Sequence, residues 1–189
     1  MTGYAERLEA EVALAVGEVA RWTEELDAIV ERIGVHFSHM RVIERACSYL
    51  QGLLSPLERK NSWQVAESGG EVTPSRMQNL LHRSIWNQDG VRDELASYVA
   101  EQLGDRQAVG VLDESAMLKK GAKSAGVARQ YCGLTGQVEN CQVGVFLGYA
   151  SPKGHALIDR ELYLPEAWTG DADRCRAAHV YHHRWYITL

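Results

Sequence analysis

Residues 109–133, VGVLDESAMLKKGAKSAGVARQYCG, decide the fold of this chain, because the hydrophobic pattern changes here from helical to extended. The short apolar run Ala108–Leu112 predicts a strand that ends in Asp113 and Glu114. A basic, glycine-containing loop follows it. We therefore expect a buried strand whose end holds a carboxylate rigidly in front of basic side chains.

A rigid carboxylate beside basic residues suits a site for metal ions and phosphate. Magnesium (Mg²⁺) prefers oxygen ligands and usually takes one or two protein carboxylates together with phosphate oxygens. Two such ions can clamp the attacking and leaving oxygens of a phosphodiester. Residues 115–138 contain no acid, and their bases are candidates for contacts with a phosphate backbone: Lys119, Lys120, Lys123 and Arg129.

The same residues also have plainer interpretations. An Asp-Glu-Ser sequence at a strand end is common as a turn or a helix cap, and on this fragment alone that interpretation is favoured. A basic stretch without acids is equally typical of a solvated loop. Both alternatives stay open at the level of the residues.

The sequence before this stretch predicts helices. Apolar residues at steps of three and four form a stripe from Leu8 to Ile33, and Gly34 is a plausible stop. Serine, threonine and aspartate, followed twice by proline, mark the starts of four further helices. These are expected from Ser38 to about Gln51, from Leu57 to about Ser68 after Ser55-Pro56, from Thr73-Pro74 to about Trp86, and from Asp89 to about Gly104.

The sequence after residue 104 predicts strands. Asn140–Tyr149 and His155–Leu164 form a hairpin around a turn-rich connection, and Val127–Tyr131 adds a short extended piece. The predicted class is α+β. A helical N-terminal region over residues 1–104 is followed by a sheet-forming domain over residues 105–189.

Charge is distributed unevenly along the 189 residues. The net charge is −5, which taken alone argues against a nucleic-acid partner, but residues 1–33 carry all of it and the remainder is balanced. The sequence contains no run of eighteen apolar residues and no secretory signal, so we expect a cytoplasmic protein without a membrane span.

Four widely spaced cysteines are predicted to be reduced and mostly packed. A metal site could be built from Cys175, His179, His182 and His183. These residues lack the paired spacing of zinc modules, so we do not favour that interpretation.

Several ordered motifs resemble one known family. They are LLSPLERKNSWQVAE (53–67), TPSRMQNLLHRSIWN (73–87), VLDESAMLKKG (111–121), SAGVARQYCG (124–133), VENCQVGVFLGYASPKGHALIDRELYLPEAWT (138–169) and DRCRAA (173–178). The chain resembles bacterial insertion-sequence transposases of the seven-oh-one-like group from about Trp22 to about His179. Their catalytic part is a DDE-superfamily endonuclease domain with a ribonuclease H-like fold.

The resemblance implies roles for particular residues. Asp113 matches the first catalytic aspartate and metal ligand, with Mg²⁺ as the expected ion. The segment Lys119-Lys120-Gly121 resembles a signature near the substrate DNA. In the segment ERKN (58–61), Arg59 and Lys60 are candidate DNA contacts, although a solvated helix face explains them equally well. Trp63, Met77 and Trp86 are expected to pack between helices.

The sequence also departs from the family. The second aspartate and the final glutamate of a DDE site lie beyond the matched region, and the tail at residues 181–189 does not resemble the family. Asp159 and Glu161 lie two apart and face the same side of a strand, so one could approach Asp113, but the polar face of a hairpin is favoured. Asp171 and Asp173 are expected to cap a short helix.

The expected function is therefore DNA transposition by metal-dependent strand cleavage and transfer, in a C-terminally truncated copy that is catalytically incompetent alone. The alternatives are a DNA-binding fragment that modulates an intact transposase and a remnant without function. The expected partners are DNA at transposon ends and a second transposase chain, with no membrane partner.

Overall fold

A computed structural model describes residues 21–180 of the chain. The chain divides into two compact units, one ending at Glu94 and the other beginning at Leu95. This division falls inside a helix, whereas helices give way to strands after residue 103. A domain boundary at residues 104 and 105 stays a prediction. Part of the predicted apolar stripe (Leu8, Val12, Ala15 and Val19) and the tail at 181–189 lie outside the described residues.

The first unit is helical, as predicted. The described part of α1 covers residues 21–34. It is followed by α2 (Met40–Leu54), α3 (Ser62–Ser68), α4 (Ser75–His82) and α5 (Gln88–Leu103), the last of which runs into the second unit.

The predicted starts of α2 and α3 and the predicted C-terminal end of α4 are wrong. Helix α2 begins after His39, because the Ser38 hydroxyl donates to the Ile85 carbonyl at 2.9 Å instead of capping the helix. Helix α3 begins at Ser62 and not beside Pro56, because the Asn61 side chain accepts the backbone N–H groups of Trp63 and Gln64, both at 3.0 Å. Helix α4 ends at His82.

Trp86 lies beyond the end of α4 and has a tertiary partner. Trp86 forms an isolated β-bridge with Phe37, and the two rings stack at 5.4 Å between centroids. The predicted packing role is confirmed for Met77, which is 1% exposed. It is wrong for Trp63, which is 64% exposed.

Two small apolar clusters hold α2, α3 and α4 together. Val42 and Ala46 of α2 pack with Leu80, and Val65 and Ala66 of α3 pack with Met77. Gly52 lets α3 approach α2, because a Cβ atom at this position would lie 2.6 Å from Val65 Cγ1.

The second unit contains an antiparallel sheet and two short helices. Its elements are β1 (Val109–Leu118), β2 (Ala128–Cys132), β3 (Gln137–Ser151), β4 (Gly154–Leu162), α6 (Glu166–Thr169) and α7 (Ala172–Ala177). The long strand β3 is central. Strand β1 pairs along one edge of β3, and β2 and β4 share the opposite edge. The predicted α+β class, the β3–β4 hairpin and the short strand at Val127–Tyr131 are confirmed.

Two apolar clusters stabilise this second unit. Cys132, Cys141 and Val143 pack on one face of the sheet, and Leu164, Trp168 and Cys175 pack around α6 and α7. Over residues 21–180, no helix is both long and apolar enough to cross a membrane.

Candidate functional site: Asp113 and the lysine loop

Asp113 lies in the middle of a strand and not at its end. It pairs with Phe146 of β3, and the same register continues for five residues to Leu118, which pairs with Cys141. The apolar pattern stops at Leu112, but backbone pairing does not depend on side-chain polarity. The predicted strand end at Asp113 is therefore wrong.

Strand β1 is also exposed, where a buried strand was predicted. Val109, Val111 and Leu112 are 57%, 51% and 66% exposed, and they lie on both faces of the strand. In the described part of the chain, β3 is the only strand with which β1 pairs in a ladder. The exposed Asp113 carboxylate accepts the Glu114 backbone N–H through Oδ1 at 2.9 Å.

The sheet register decides which side chains share a face with Asp113. Residues paired across neighbouring strands lie on the same face. Asp113 pairs with Phe146, and Phe146 pairs with Arg160, so these three define what we call the Asp113 face. Glu114 pairs with Val145, and Val145 pairs with Glu161, so these acids lie on the opposite face.

Asp159 and Glu161 share one face, as predicted, but it is not the face of Asp113. The alternative in which one of these acids approaches Asp113, which the sequence did not favour, is therefore wrong. Among residues 21–180, no group of three or more histidine, cysteine, aspartate or glutamate side chains could hold a metal ion. The described residues thus do not fit a complete Mg²⁺ site, although Asp113 could supply one ligand to it.

The basic segment between β1 and β2, residues 119–127, forms what we call the lysine loop. Its backbone is fixed by side chains of β3. Asn140 Nδ2 donates to the carbonyls of Lys119 and Gly121 at 2.7 and 3.1 Å. Gln142 Nε2 donates to the carbonyl of Ala125 at 2.7 Å. The start and the end of the loop are therefore both attached to the central strand.

The loop is also fixed by residues after the sheet. Arg174 donates to the carbonyls of Ala122 and Val127 at 3.2 and 3.0 Å, and Trp168 Nε1 donates to that of Val127 at 2.8 Å. The Arg174 guanidinium lies 4.0 Å from the centroid of the Trp168 ring. Val127 itself is 1% exposed.

Gly126 is required where the loop enters β2. Its φ is +73°, a left-handed conformation that favours glycine. A Cβ atom here would lie 2.7 Å from the Tyr163 carbonyl oxygen. This backbone therefore approaches the segment after β4 more closely than a larger residue would allow.

The lysine loop lies on the Asp113 face. Asn140 and Gln142 alternate with Cys141 along β3, and they share a face with Phe146 and so with Asp113. Gln142 and Phe146 are four residues apart on β3, which is about 13 Å along the strand. Arg129 of β2 pairs with Asn140, which places it on this face too.

The lysine side chains of the loop project from this fixed backbone. Lys120 and Lys123 are exposed and Lys119 is half-buried. Arg129 is exposed and donates to the Val138 carbonyl at 3.4 Å. The backbone that carries Lys119, Lys120 and Lys123 is therefore bound by side chains of the Asp113 face, and Arg129 lies on that face through its pairing with Asn140.

Arg59 and Lys60 lie in the other unit, in the turn before α3. Lys60 Nζ donates to the carbonyls of Leu53 and Ser55, both at 2.5 Å, and so binds the C-terminal end of α2. The Arg59 side chain is exposed. Lys60 thus forms hydrogen bonds within the protein. Contact of Arg59 or Lys60 with DNA stays a prediction.

Sequence reasoning missed the residues that fix the lysine loop. Asn140, Gln142, Trp168 and Arg174 are 13 or more residues from the loop's end, and no local spacing connects them with it. The expected helix cap is confirmed at Asp171, whose Oδ1 accepts the Arg174 N–H at 2.9 Å. This cap begins α7, which carries Arg174.

All four cysteines are free, as predicted, and three of them are buried. Burial raises the pKa of the Cys141 thiol, and the neighbouring Cys132 thiol raises it further. Burial also acts to raise the pKa of Cys132, but hydrogen bonds with Thr135 and Leu134 outweigh it and hold this pKa below its ordinary value. Cys175 donates to the Trp168 carbonyl at 3.1 Å, so its thiol packs within the fold. His182 and His183 lie outside the described residues.

Comparisons with known proteins show which family the chain is similar to. A family model described as "DDE superfamily endonuclease" matches residues 36–184. The chain is 31% identical over 122 residues to the "Probable transposase for insertion sequence element IS701" of Microchaete diplosiphon. That match covers 61% of this chain and 32% of the relative, so the chain spans about a third of the relative's length. No solved structure matches.

Proposed function

The chain belongs to the DDE superfamily of endonucleases and is related to insertion-sequence transposases, and we propose from this premise that it binds DNA through its lysine loop. In this proposal Asp113 is the first catalytic carboxylate, inherited from a protein that cleaves and transfers DNA strands. The relative is named as a probable transposase for an insertion sequence element, and we extend the proposal to contact with transposon ends.

The fixed lysine loop on the Asp113 face is the observation that carries the proposal. Holding several lysines on an ordered backbone reduces the conformational entropy that is lost when phosphates bind. Lys120 and Lys123 are exposed, so their ammonium groups are accessible to a DNA backbone. The same face presents Asp113, as a protein that cuts the bound strand would require.

Endonucleases of this superfamily use divalent metal ions, and we propose Mg²⁺ as the ion. Carboxylate oxygens are the protein ligands that Mg²⁺ prefers. Asp113 is exposed and would supply one of them, while Glu114, Asp159 and Glu161 lie on the other face. We therefore infer that residues 21–180 bind DNA without cleaving it, the further carboxylates having to come from elsewhere.

A salt titration of DNA binding tests the lysine loop. The probe is a fluorescein-labelled duplex of about 30 base pairs, bound to the full chain. Each phosphate contact contributes about 0.9 to the slope of log affinity against log salt concentration. In the double variant Lys120→Gln/Lys123→Gln, we expect this slope to fall by about 2.

The matched control removes the same charge from two other exposed residues, in Arg21→Gln/Arg106→Gln. We expect the control to keep the slope of the unchanged chain. If the lysine variant and the control show the same slope, the loop does not contact DNA and the assignment is wrong.

A nuclease assay tests the inference that the chain binds without cleaving. The purified chain is incubated with Mg²⁺ and labelled DNA carrying transposon ends, beside an Asp113→Asn variant. We expect no cleavage from either and the same DNA affinity for both, within about twofold. Cleavage that depends on Mg²⁺ and is lost in Asp113→Asn would show instead that a complete site is present.

A second candidate function is modulation of an intact transposase, favoured by the exposed strand β1. An unpaired strand edge is a template for pairing with another chain. Added to a related full-length transposase, the chain is expected to lower the rate of DNA cleavage. It should do so even in the Lys120→Gln/Lys123→Gln variant, since that variant leaves the edge intact. Inhibition lost in this variant would point to competition for DNA instead.

A further inference from the structure

The helical unit contains an arginine-lined cleft that is far in sequence from Asp113 and the lysine loop. It lies between α2 and the segment from Glu71 to Arg76, with a volume of 410 Å³. Its lining is wholly polar or charged: Arg41, Glu44, Arg45, Ser48, Glu71 and Arg76. Such a lining favours a charged ligand over an apolar one.

Helix geometry places four of these residues together. Arg41, Glu44, Arg45 and Ser48 follow steps of three and four along α2, which align them on one face. The neighbouring face carries Val42 and Ala46, which are buried against Leu80. Because this packing fixes the rotation of α2, the two arginines are held toward the cleft.

The cleft contains guanidinium groups in excess of their partners. Glu71 pairs with Arg76 at 3.6 Å, and Ser48 donates to the Glu44 backbone carbonyl at 3.0 Å. Within residues 21–180, Arg41 and Arg45 form no ion pair with an acidic side chain. Arg45 is half-buried, so it is held near the surface of α2 without a counter-ion from the described residues.

We propose that this cleft binds the phosphate backbone of DNA, with Arg41 and Arg45 as the contacting residues. A guanidinium presents a planar fork of donors that matches phosphate oxygens, and it stays charged at every physiological pH. Arg76 contributes a third positive charge, which Glu71 partly neutralises. The proposal rests on DNA as the partner of this chain, and it adds a second contact region to the lysine loop.

The Glu44 carboxylate opposes binding in this arrangement. It lies on the same face of α2 as the arginines and would repel a phosphate. A substitution that removes this carboxylate should therefore strengthen binding. Removing the charge of Glu44 leaves every positive group in place.

The test measures binding of the full chain to the same labelled duplex across a range of salt concentrations. In Arg41→Gln/Arg45→Gln, we expect the slope of log affinity against log salt to fall by about 2, and the affinity at 0.1 M salt to fall at least about tenfold. In Glu44→Gln, we expect the affinity to rise by about twofold. The control Arg21→Gln/Arg106→Gln should keep the slope of the unchanged chain.

Two additions separate loss of binding from loss of fold. Circular dichroism melts of each variant report whether α2 still packs. Arg41→Lys/Arg45→Lys keeps both charges and should keep most of the salt slope. If the glutamine variant unfolds, the rise in affinity in Glu44→Gln carries the test, and an unchanged or lower affinity there overturns the proposal.

A competition arm separates DNA from free phosphate as the ligand. Inorganic phosphate and chloride are compared as competitors at equal ionic strength. If phosphate at about 1 mM removes the difference between the unchanged chain and the arginine variant, the cleft is a site for the free anion, and the proposal is overturned.

The outcomes also distinguish this proposal from the proposed function. No binding by the unchanged chain would contradict both. Binding that weakens in the lysine-loop variant but not in Arg41→Gln/Arg45→Gln would overturn the cleft alone. Binding that weakens in both variants, each by its own change of slope, is the expected result.

Discussion

The lysine loop and strand β1 follow one another in sequence but differ in how they are held. The loop has no regular secondary structure, yet five side chains from β2, β3, α6 and α7 donate to its carbonyls. Strand β1 has a regular ladder to β3, yet it exposes apolar side chains on both faces. Regular hydrogen bonding and tertiary packing are thus independent properties of a segment.

This difference between the loop and the strand also indicates which of the two is held in place by its own unit. Among the described residues, the side chains that donate to the lysine loop belong to positions between 130 and 174. Val109, Val111, Leu112, Met117 and Leu118 of β1 are all exposed in the described part of the chain. The lysine loop, which is the proposed DNA-binding element, is therefore held by contacts within its own unit. The strand that carries Asp113 is held by its pairing with β3, while its apolar side chains stay exposed.

The largest expected effect is at Trp168, which anchors the end of the loop. It is 1% exposed, and its indole N–H donates to the Val127 carbonyl. Trp168→Ala should lower the free energy of unfolding by about 3–5 kcal/mol, through loss of buried contacts and a residual cavity. Urea denaturation measures it. Trp63→Ala, at a 64% exposed residue, should change it by less than about 0.5 kcal/mol. Equal effects would contradict the assigned packing.

A smaller effect is expected at Arg174. Arg174→Ala removes two charge-assisted hydrogen bonds to loop carbonyls and the contact with the Trp168 ring. Because Val127 keeps its bond from Trp168, the loss should be about 2 kcal/mol. Arg176→Ala is the matched control on the same helix, where the arginine is exposed and pairs with Asp173, and should cost less than about 1 kcal/mol. A larger loss in the control would reverse the comparison.

A more local effect is expected at Asn140, which fixes the start of the loop. Asn140→Ala removes the donors to the Lys119 and Gly121 carbonyls and should cost about 1 kcal/mol. Hydrogen exchange at the amides of residues 119–123 should accelerate, since this part of the loop can then open locally. Exchange in β3 and β4 serves as the internal reference. Uniform acceleration would mean that Asn140 stabilises the whole unit and not the loop.

The smallest effect is expected in β1. Leu112→Ser replaces a side chain that is 66% exposed, so the free energy of unfolding should change by less than about 0.5 kcal/mol. Leu164→Ser, at a 1% exposed residue, should instead be strongly destabilising. Light scattering of the Leu112→Ser protein should decrease if the exposed strand drives association. A large destabilisation in Leu112→Ser would show that β1 is packed.

Much of the element pattern could be predicted because it depends on neighbours in sequence. The turn Ser151–Gly154, the α5 helix and the short strand β2 follow from turn residues and local periodicity. The starts of α2 and α3 could not be predicted. Ser38 donates to Ile85, 47 residues away. The Ser55 hydroxyl donates back to the Gly52 carbonyl, and Asn61 caps α3 instead.

By itself, the sequence determined the α+β order of elements, the basic character of residues 115–138, and the family of the chain. Only the tertiary structure decided that Asp113 shares a sheet face with Asn140 and Gln142 while Asp159 and Glu161 lie on the other face, and that Asn140, Trp168 and Arg174 fix the lysine loop. The physical reason is the distance over which each property is set. Helical and strand periodicities repeat within a few residues, whereas strand register and loop contacts join residues that are tens of positions apart.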